Sequence, residues 1–333
     1  MTTPIWALKK IRAVQERGSD VLILSGRDGA PLDEFPPEIH QLTHLRDLSL
    51  TGHKIKHIPP TLAQLASLRE LSLSGNQLTS IPEAVLNLPK LRTLDVRDNW
   101  LRELPTDWHT PYLTELAIGA NPLQVLPLGP GWPKRLSHLE VSSCRLQALP
   151  PEIGLLRNLR VLEATRNPLT TLPAALGQLA KLRELWLTFT QLDATTFPAD
   201  LSGMVSLQQL RLSNTPLGAT LPVGITTLPA LEELSADSCR LMGLPPEIGR
   251  LKILHTLRLF NNKIHHLPAE FGQLENLRVL HLNYNPLRSL PPEFVQLRNL
   301  GTFHVSDRIA EHDPVLRELR GLQRVFVNPD AGF

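Results

Sequence analysis

The sequence predicts an α/β solenoid: a curved stack of short repeats with a parallel β-sheet on the concave face and short helices or 3-10 turns on the convex face. The first observation is composition, since 68 of the 333 residues are leucine. The second is that these leucines recur at an almost constant spacing along most of the chain. The third is that atypical segments stand at both ends. Such self-similarity overrides the expectation of about two domains for this length.

The repeated pattern reads LxxLxLxxNxLxxLP, and eleven full copies occupy residues 45–299. The first leucines of the copies are Leu45, Leu68, Leu91, Leu113, Leu136, Leu159, Leu182, Leu207, Leu231, Leu254 and Leu277. Successive copies begin 22 to 25 residues apart. We therefore expect residues 1–333 to form a single domain. In it, 1–44 are an N-terminal helical cap with a degenerate first repeat, and 300–333 are a C-terminal degenerate repeat and cap.

The N-terminal segment carries the pattern of a short helix. Four apolar residues recur at intervals of three within residues 4–17: Ile5, Leu8, Ile11 and Val14. This spacing predicts that they share one helix face, and Gly18 is expected to stop the helix. Residues 21–24 then form an atypical first strand. Because a solenoid leaves its core open at both ends, we expect this segment to act as a cap.

Within each repeat, the alternating L-x-L stretch predicts a short strand. In the copy that begins at Leu68, Leu71 and Leu73 face inward, and the neighbouring copies extend the strand into a parallel sheet. The proline that follows turns the chain. A segment such as 150–158 then starts a short outer helix, with Pro setting φ and Glu152 near the positive end of the helix.

The ninth position of each repeat is expected to form a ladder of hydrogen bonds, because an amide there satisfies buried backbone groups of adjacent turns. The residues at this position are His53, Asn76, Asn99, Asn121, Cys144, Asn167, Thr190, Thr215, Cys239, Asn262 and Asn285. Both cysteines of the chain fall on the ladder. We therefore interpret Cys144 and Cys239 as structural rather than nucleophilic or metal-binding, and as too far apart for a disulfide.

Beyond Leu300 the leucine pattern fades. The remaining apolar residues are Phe303, Val305, Leu316, Leu319, Leu322 and the run at 325–327. We expect a last degenerate repeat, followed by a helix and a strand that close this end of the solenoid.

The repeat resembles that of the leucine-rich repeat family, most closely the intracellular and bacterial class of roughly 23 residues that is similar to Ras-suppressor-type proteins. Two copies carry the resemblance well: LRELSLSGNQLTSIPEAVLNLPK at 68–90 and LRVLHLNYNPLRSLPPEFVQLRN at 277–299. The resemblance implies a module that binds a protein partner on its concave face. It implies no catalysis.

Composition and motifs exclude several other classes. The 34 basic and 32 acidic residues are interspersed, so the concentrated positive field that nucleic acid requires is absent. There is no apolar run of membrane-spanning length, no secretory signal pattern and no disulfide framework, which indicates a cytoplasmic protein. There is also no Gly-rich phosphate loop, GxSxG or HExxH motif. We expect no enzymatic activity, no cofactor and no bound metal.

The outward positions of the strands are free from packing, and a large aromatic there has no role in stabilising the fold. Trp, Tyr and Arg are common anchors of protein interfaces. The candidate partner-binding residues are Trp186, Phe189, Arg211, Arg258, Phe260, His281, Tyr284, Asp95, Glu140 and Glu163. The acidic members are expected to fix the orientation of the partner. The alternative for Phe189 and Tyr284 is that each tucks over a neighbouring loop.

Three functions remain open at this point. The first is a monomeric, non-catalytic scaffold that binds a protein partner. The second is the substrate-recognition part of a bacterial effector or signalling enzyme, such as a ubiquitin ligase or kinase, whose catalytic domain lies outside this chain and which is delivered to a host cell if it is an effector. The third is a metal- or ligand-dependent enzyme in the concave face, which metal analysis would detect.

Overall fold

A computed structural model describes residues 3–319 and 324–328 of the chain. The chain divides into two compact units, Met1–Leu146 (unit 1) and Gln147–Phe333 (unit 2). Each unit is a stack of repeats in which one short strand alternates with one connecting segment. The expected organisation, one array of eleven repeats between two caps, stays a prediction.

Unit 1 begins with a helix and continues as a parallel sheet. Its α-helices are α1 (Ile5–Arg17) and α2 (Glu83–Leu86), and its 3-10 helices are Pro37–Gln41 and Pro60–Gln64. Its strands are β1 (Val21–Ser25), β2 (Asp47–Thr51), β3 (Glu70–Ser72), β4 (Thr93–Asp95), β5 (Glu115–Ala117) and β6 (His138–Glu140). Each strand pairs in parallel with the next one in the chain.

Unit 2 repeats this arrangement and ends in two helices and a strand. Its strands are β7 (Val161–Glu163), β8 (Glu184–Trp186), β9 (Gln209–Arg211), β10 (Glu233–Ser235), β11 (Thr256–Arg258), β12 (Val279–His281), β13 (Thr302–Ser306) and β14 (Arg324–Asn328). Its 3-10 helices are Pro151–Leu155, Ala174–Gln178, Val223–Thr227, Pro246–Arg250, Ala269–Gln273 and Pro292–Gln296. The α-helices α3 (Asp307–His312) and α4 (Pro314–Glu318) precede β14. Consecutive strands again pair in parallel.

The register of the strands stacks equivalent leucines. Leu71 of β3 lies opposite Leu48 and Leu94 of the neighbouring strands, and all three are buried. Glu70 and Ser72, on either side of Leu71, point to the other face of the sheet and are not buried. Because strand side chains alternate between faces, each repeat contributes leucine to the core and outward residues to an exposed sheet face. The prediction of inward leucines on short parallel strands is confirmed.

The predicted outer helices are single turns of 3-10 helix in most repeats. In the turn Pro151–Leu155, the residue Leu156 donates its N–H to the carbonyl of Ile153 at 3.1 Å. This bond closes the turn after three residues, and Leu156 then enters the core. The chain must return to the next strand within one repeat, so no room remains for a longer helix.

The N-terminal helix forms as expected, but the predicted face is partly wrong. Ala7 and Ile11 are its buried residues, whereas Ile5 is 73% exposed. Residues two apart are separated by about 200° around a helix, so burying Ala7 turns Ile5 toward solvent. Gly18 stops the helix with φ of 62°, a left-handed conformation in which the N–H of Ser19 reaches the carbonyl of Val14 at 3.1 Å.

The C-terminal end contains two helices, α3 and α4, and the strand β14, where the sequence predicted one helix and one strand. Phe303 and Val305 of β13 are buried, and β14 pairs with β13 in parallel. Asp313 links α4 to the preceding repeat. Its carboxylate accepts the N–H of Val315 in α4 at 3.0 Å and the N–H of Leu290 at 2.7 Å. The predicted core residue Leu322 lies outside the described residues.

Candidate functional site

The ladder fixes where each strand ends and which side chains follow it. Asn99 shows the geometry: its Nδ2 donates to the carbonyls of Leu73 at 3.0 Å and Val96 at 3.1 Å. Its Oδ1 accepts the N–H of Leu78 at 2.9 Å. One side chain therefore satisfies buried backbone groups of two successive repeats, as predicted for this position.

Both cysteines also hydrogen-bond the backbone of an adjacent repeat, but a thiol is a weaker donor than an amide. The thiol of Cys144 donates to the carbonyl of Ile118 at 3.4 Å, and that of Cys239 to the carbonyl of Leu212 at 3.2 Å. Burial raises the pKa of each thiol to about 12, and neither cysteine forms a disulfide. The predicted place of both cysteines on the ladder is confirmed. A protonated, buried thiol is a poor nucleophile and a poor metal ligand, which supports the prediction that their role is structural.

The residue before each ladder position adopts a left-handed backbone. The residues concerned, all with positive φ, are Gly52, Gly75, Asp98, Ala120, Ser143, Arg166, Phe189, Asn214, Ser238, Asn261 and Tyr284. Gly, Asn and Asp tolerate this conformation, whereas other residues lose roughly 1–2 kcal/mol in it. Phe189 and Tyr284 are the bulkiest residues held there, with φ of 56° and 58°. Strain of this kind often accompanies function.

Trp186 and Arg211 form a stacked pair on the exposed face of unit 2. The two residues lie opposite each other on β8 and β9. The guanidinium of Arg211 lies 4.4 Å from the centre of the Trp186 ring system, a favourable cation–π arrangement. The indole Nε1 of Trp186 is buried and has no hydrogen-bond partner among the described residues.

A second cation–π pair lies just after the strands β7 and β8. The guanidinium of Arg166 is 4.7 Å from the centre of the Phe189 ring. Phe189 nevertheless remains 48% exposed. Its ring therefore rests partly on Arg166, as the alternative for this residue supposed, and still presents a large apolar area to solvent.

Phe260 and Tyr284 form an aromatic pair further along unit 2. Their ring centres are 5.1 Å apart in an edge-to-face arrangement. Asp237 supports this pair, because its carboxylate accepts the N–H of Phe260 at 2.9 Å and the hydroxyl proton of Ser213 at 3.2 Å. Burial raises the pKa of Asp237. This supporting role of Asp237 is not visible in the sequence, because Ser213, Asp237 and Phe260 lie in three different repeats.

Arg258, His281 and His304 follow one another at the same register position on β11, β12 and β13. The two imidazole rings stack with centres 4.1 Å apart, and His304 stacks on Phe326 at 4.3 Å. Burial, helped by the positive charge of Arg258, lowers the pKa of His281 to about 4 and also lowers the pKa of His304. The two stacked imidazoles therefore favour their neutral form, and the positive charge of this part of the face comes from Arg258.

The three predicted acidic residues have different surroundings. Asp95 in unit 1 forms a bidentate ion pair with Arg97, the shorter contact being 2.8 Å. Glu140, also in unit 1, accepts the backbone N–H groups of Gly119 at 3.0 Å and Ser142 at 2.9 Å. Glu163 lies in unit 2, opposite Trp186 in the sheet. The local backbone role of Glu140 is invisible in the sequence, since Gly119 lies in another repeat.

Unit 2 thus brings most of the candidates together. Seven of them, from Trp186 to Tyr284, and Glu163 lie on the exposed sheet face or at the strand ends of this unit. Among the described residues, no cluster of three or more His, Cys, Asp or Glu side chains could hold a metal ion. No helix in the described part of the chain combines the length and the apolar character needed to cross a membrane.

Comparisons with known proteins agree with this architecture. A family model described as Leucine rich repeat matches residues 43–101 and 229–287. The chain is a leucine-rich repeat protein. No curated protein sequence matches it.

Solved structures show how widely this fold is shared. A leucine-rich repeat protein of Leptospira interrogans is 26% identical with a TM-score of 0.58, over 98% of this chain and 100% of that chain. The internalin InlF of Listeria monocytogenes is 21% identical with a TM-score of 0.73, over 96% and 94%. The repeat ectodomain of the Arabidopsis thaliana receptor kinase GASSHO1/SCHENGEN3, in complex with CASPARIAN STRIP INTEGRITY FACTOR 2, is 27% identical with a TM-score of 0.55, over 89% and 40%. The internalin similarity shows the fold alone.

Proposed function

We propose that this leucine-rich repeat protein is a non-catalytic scaffold that binds a protein partner on the exposed sheet face of unit 2. The observation that carries the proposal is the stacked pair of Trp186 and Arg211. A tryptophan and an arginine on an outward strand position contribute nothing to the leucine core, and both residue types are enriched at the centres of interfaces. Phe189, Phe260 and Tyr284 enlarge this contact area.

Charge gives the partner an orientation. Within unit 2, Glu163 lies on β7, while Arg211 and Arg258 lie on β9 and β11. A partner with the opposite distribution of charge would dock in one direction, because complementary charges raise the association rate and exclude the reversed arrangement. The Arabidopsis structure, a repeat ectodomain in complex with a named factor, is a precedent for binding by this fold.

The remaining features fit an adaptor. The protein acts as a monomer in the cytoplasm, where its two cysteines stay reduced. It needs no cofactor or metal, and it binds neither nucleic acid nor the interior of a membrane. Its ten candidate residues supply contacts rather than chemistry.

The test is affinity capture from a cytoplasmic lysate, comparing the native chain with a Trp186→Ala/Arg211→Glu variant by mass spectrometry. A protein that the native chain retains and the folded variant does not is the partner, and this result supports the exposed sheet face of unit 2 as its binding site. Identical captured proteins would contradict it. The variant must keep the native melting temperature, so that lost binding is not lost folding.

A second function is supported by one comparison. The GASSHO1/SCHENGEN3 ectodomain belongs to a receptor kinase, and this chain covers 40% of that chain. We therefore keep the alternative that the present repeats recognise the substrate or signal of a bacterial effector or signalling enzyme, whose catalytic domain lies outside this chain. The sequence of the complete gene decides between the two.

A further inference from the structure

The strand ends of unit 2 present arginine and aromatic side chains that the core does not use. We call this surface the arginine–aromatic edge and define it by Arg166, Phe189, Arg211, Arg258, Phe260 and Tyr284. The three arginines are exposed, and so are Phe189 and Phe260. Exposed apolar area that is interspersed with charge is characteristic of interfaces rather than of ordinary surface.

The backbone of two edge residues argues that their side chains serve a purpose outside the fold. Phe189 and Tyr284 are held at positive φ, at the position where Asn214 and Asn261 stand in other repeats of the same unit. Asparagine satisfies that conformation with little strain, whereas an aromatic residue does not. A chain that needed only the turn would be better served by asparagine at both places. Contact with a ligand is a reason to keep the rings.

The positive charges of the edge are not neutralised within the described residues. None of Arg166, Arg211 and Arg258 forms an ion pair with a carboxylate in that part of the chain, in contrast to Arg97 beside Asp95. Arg166 and Arg211 instead lie flat on aromatic rings at 4.7 and 4.4 Å. Stacking leaves the edges of a guanidinium, where its N–H donors lie, available to an acceptor.

The acidic residues nearest to the edge do not cancel this charge. Glu184 and Glu233 begin β8 and β10, so they lie toward the other end of the strands. The carboxylate of Asp237 is engaged with the Phe260 N–H and the Ser213 hydroxyl. Glu163 lies opposite Trp186, at one side of the edge. One N–H of Arg211 donates to the side-chain oxygen of Gln209 at 3.3 Å, and the charge of Arg258 favours the ionised form of Asp237 without an ion pair between them. The edge therefore combines three guanidinium groups, which form no ion pair in the described part of the chain, with aromatic rings that are exposed or half-exposed.

We propose that the arginine–aromatic edge binds an extended acidic segment of the partner protein, one that also carries apolar side chains. Its carboxylates pair with the three arginines, and its apolar side chains contact the three aromatic rings. Arg166 and Tyr284 are five repeats apart, about 24 Å at ~4.8 Å per strand, so about seven residues of extended chain span the edge. This inference rests on the proposed function and specifies the chemistry of the partner.

The experiment is selection of a phage-displayed random dodecapeptide library on the immobilised full chain. The enriched sequences are then synthesised, and their affinities are measured by fluorescence anisotropy. Two variants test the edge: Arg211→Glu/Arg258→Glu and Phe189→Asn/Tyr284→Asn. The matched control, Arg157→Glu/Arg298→Glu, makes the same change of charge at exposed arginines beside the 3-10 helices. Thermal melting of every variant accompanies the binding data.

The expected result is enrichment of peptides with net negative charge and apolar residues, bound about tenfold or more weakly by both edge variants and within about twofold of native by the control. The Phe189→Asn/Tyr284→Asn variant should melt at or above the native temperature. Absence of enrichment, enrichment of neutral or basic peptides, equal binding to the edge variants, or a lower melting temperature of the asparagine variant would overturn the inference. The inference can fail while the Trp186→Ala/Arg211→Glu variant still fails to capture the protein that the native chain retains. In that case the proposed function stands, but the partner does not bind through an acidic, apolar segment.

Discussion

At the scale of single residues, the repeat makes opposite demands on two adjacent positions. The ladder position needs a small polar side chain that enters the core, and Asn99 meets this need with bonds to Leu73, Val96 and Leu78. The preceding position needs a left-handed backbone, and its side chain points away from the core. Only the first demand constrains the side chain tightly, so the second position is where sequence is free to carry function.

The ladder predicts a defined loss of stability. Replacing Asn99 by Ala leaves buried backbone groups of two repeats without partners, so the free energy of unfolding should fall by about 1–3 kcal/mol. Urea denaturation measures this change. Asn87→Ala, at an exposed asparagine, serves as the control and should be nearly neutral. Equal free energies of unfolding for the two variants would show that the hydrogen bonds of Asn99 do not stabilise the fold.

The left-handed position predicts an asymmetry between two substitutions. Asn214→Val places a β-branched side chain at φ of 60° and should lower the free energy of unfolding by about 1–2 kcal/mol. Phe189→Val, at φ of 56°, should change it much less, because strain is already present in the native residue. Thermal melting distinguishes the two. A larger loss at Phe189 would mean that its ring packs into the fold.

The histidine stack predicts a dependence of stability on pH. The pKa of His281 is about 4 in the folded chain, below its ordinary value of 6.5, because burial and Arg258 disfavour the charged form. Between these pH values the unfolded chain binds a proton that the folded chain does not, so stability falls as pH decreases from about 6.5 to about 4. Partial exposure of the ring reduces the effect.

Melting temperatures across this pH range test the claim against a His281→Phe variant, which keeps a stacked ring but cannot titrate. The variant should lose less stability on acidification than the native chain. Parallel curves for the two proteins would show that His281 does not contribute.

At the scale of elements, each segment is as long as one repeat allows. Strands of three residues suffice because pairing continues into the next repeat, and single 3-10 turns suffice because the following leucine must return to the core. The helix α1 is longer, with 13 residues, and lies outside the repeated strand-and-turn pattern. Its buried residues are Ala7 and Ile11, and its end is set by Gly18.

The end of α1 gives a clean test of backbone conformation. A Cβ added at Gly18 would meet no atom within 4 Å, so Gly18→Ala introduces no clash, only a residue that disfavours φ of 62°. The free energy of unfolding should fall by about 1 kcal/mol. Chemical denaturation checks this, with Lys9→Ala on an exposed helix position as the control. A neutral Gly18→Ala would contradict the role of the left-handed cap.

The elements also show what the sequence reveals and what it does not. Strand positions, the ladder and the stop at Gly18 follow from short-range patterns, and each is present in the structure. The exposure of Ile5 was missed because the pattern of three-residue spacing is equally compatible with burial of Ala7. The strained position was missed because its residues share no chemistry, although Gly52, Gly75, Asn214 and Asn261 at one repeat position were a usable signal.

At the scale of the whole molecule, a leucine-rich repeat chain separates stability from recognition. The core is made mostly of leucine together with the ladder residues, while the residues on the exposed sheet face vary from repeat to repeat. The stack of Trp186 with Arg211, the Glu140 bonds to Gly119 and Ser142, and the Asp237 support of Phe260 join different repeats. The sequence therefore predicted which residues face outward, but not how these side chains contact one another.

The most direct test of the central claim is the affinity of the captured partner for Trp186→Ala compared with Trp100→Ala. Trp100 is 55% exposed but lies in unit 1, outside the proposed face, so it controls for the loss of an exposed indole. The account predicts that Trp186→Ala weakens binding by about 2 kcal/mol, roughly thirtyfold in Kd, while its melting temperature stays near native. Trp100→Ala should bind as the native chain does. Equal affinities of the two variants, or loss of folding in Trp186→Ala, would contradict the assignment of the partner site to the exposed sheet face of unit 2.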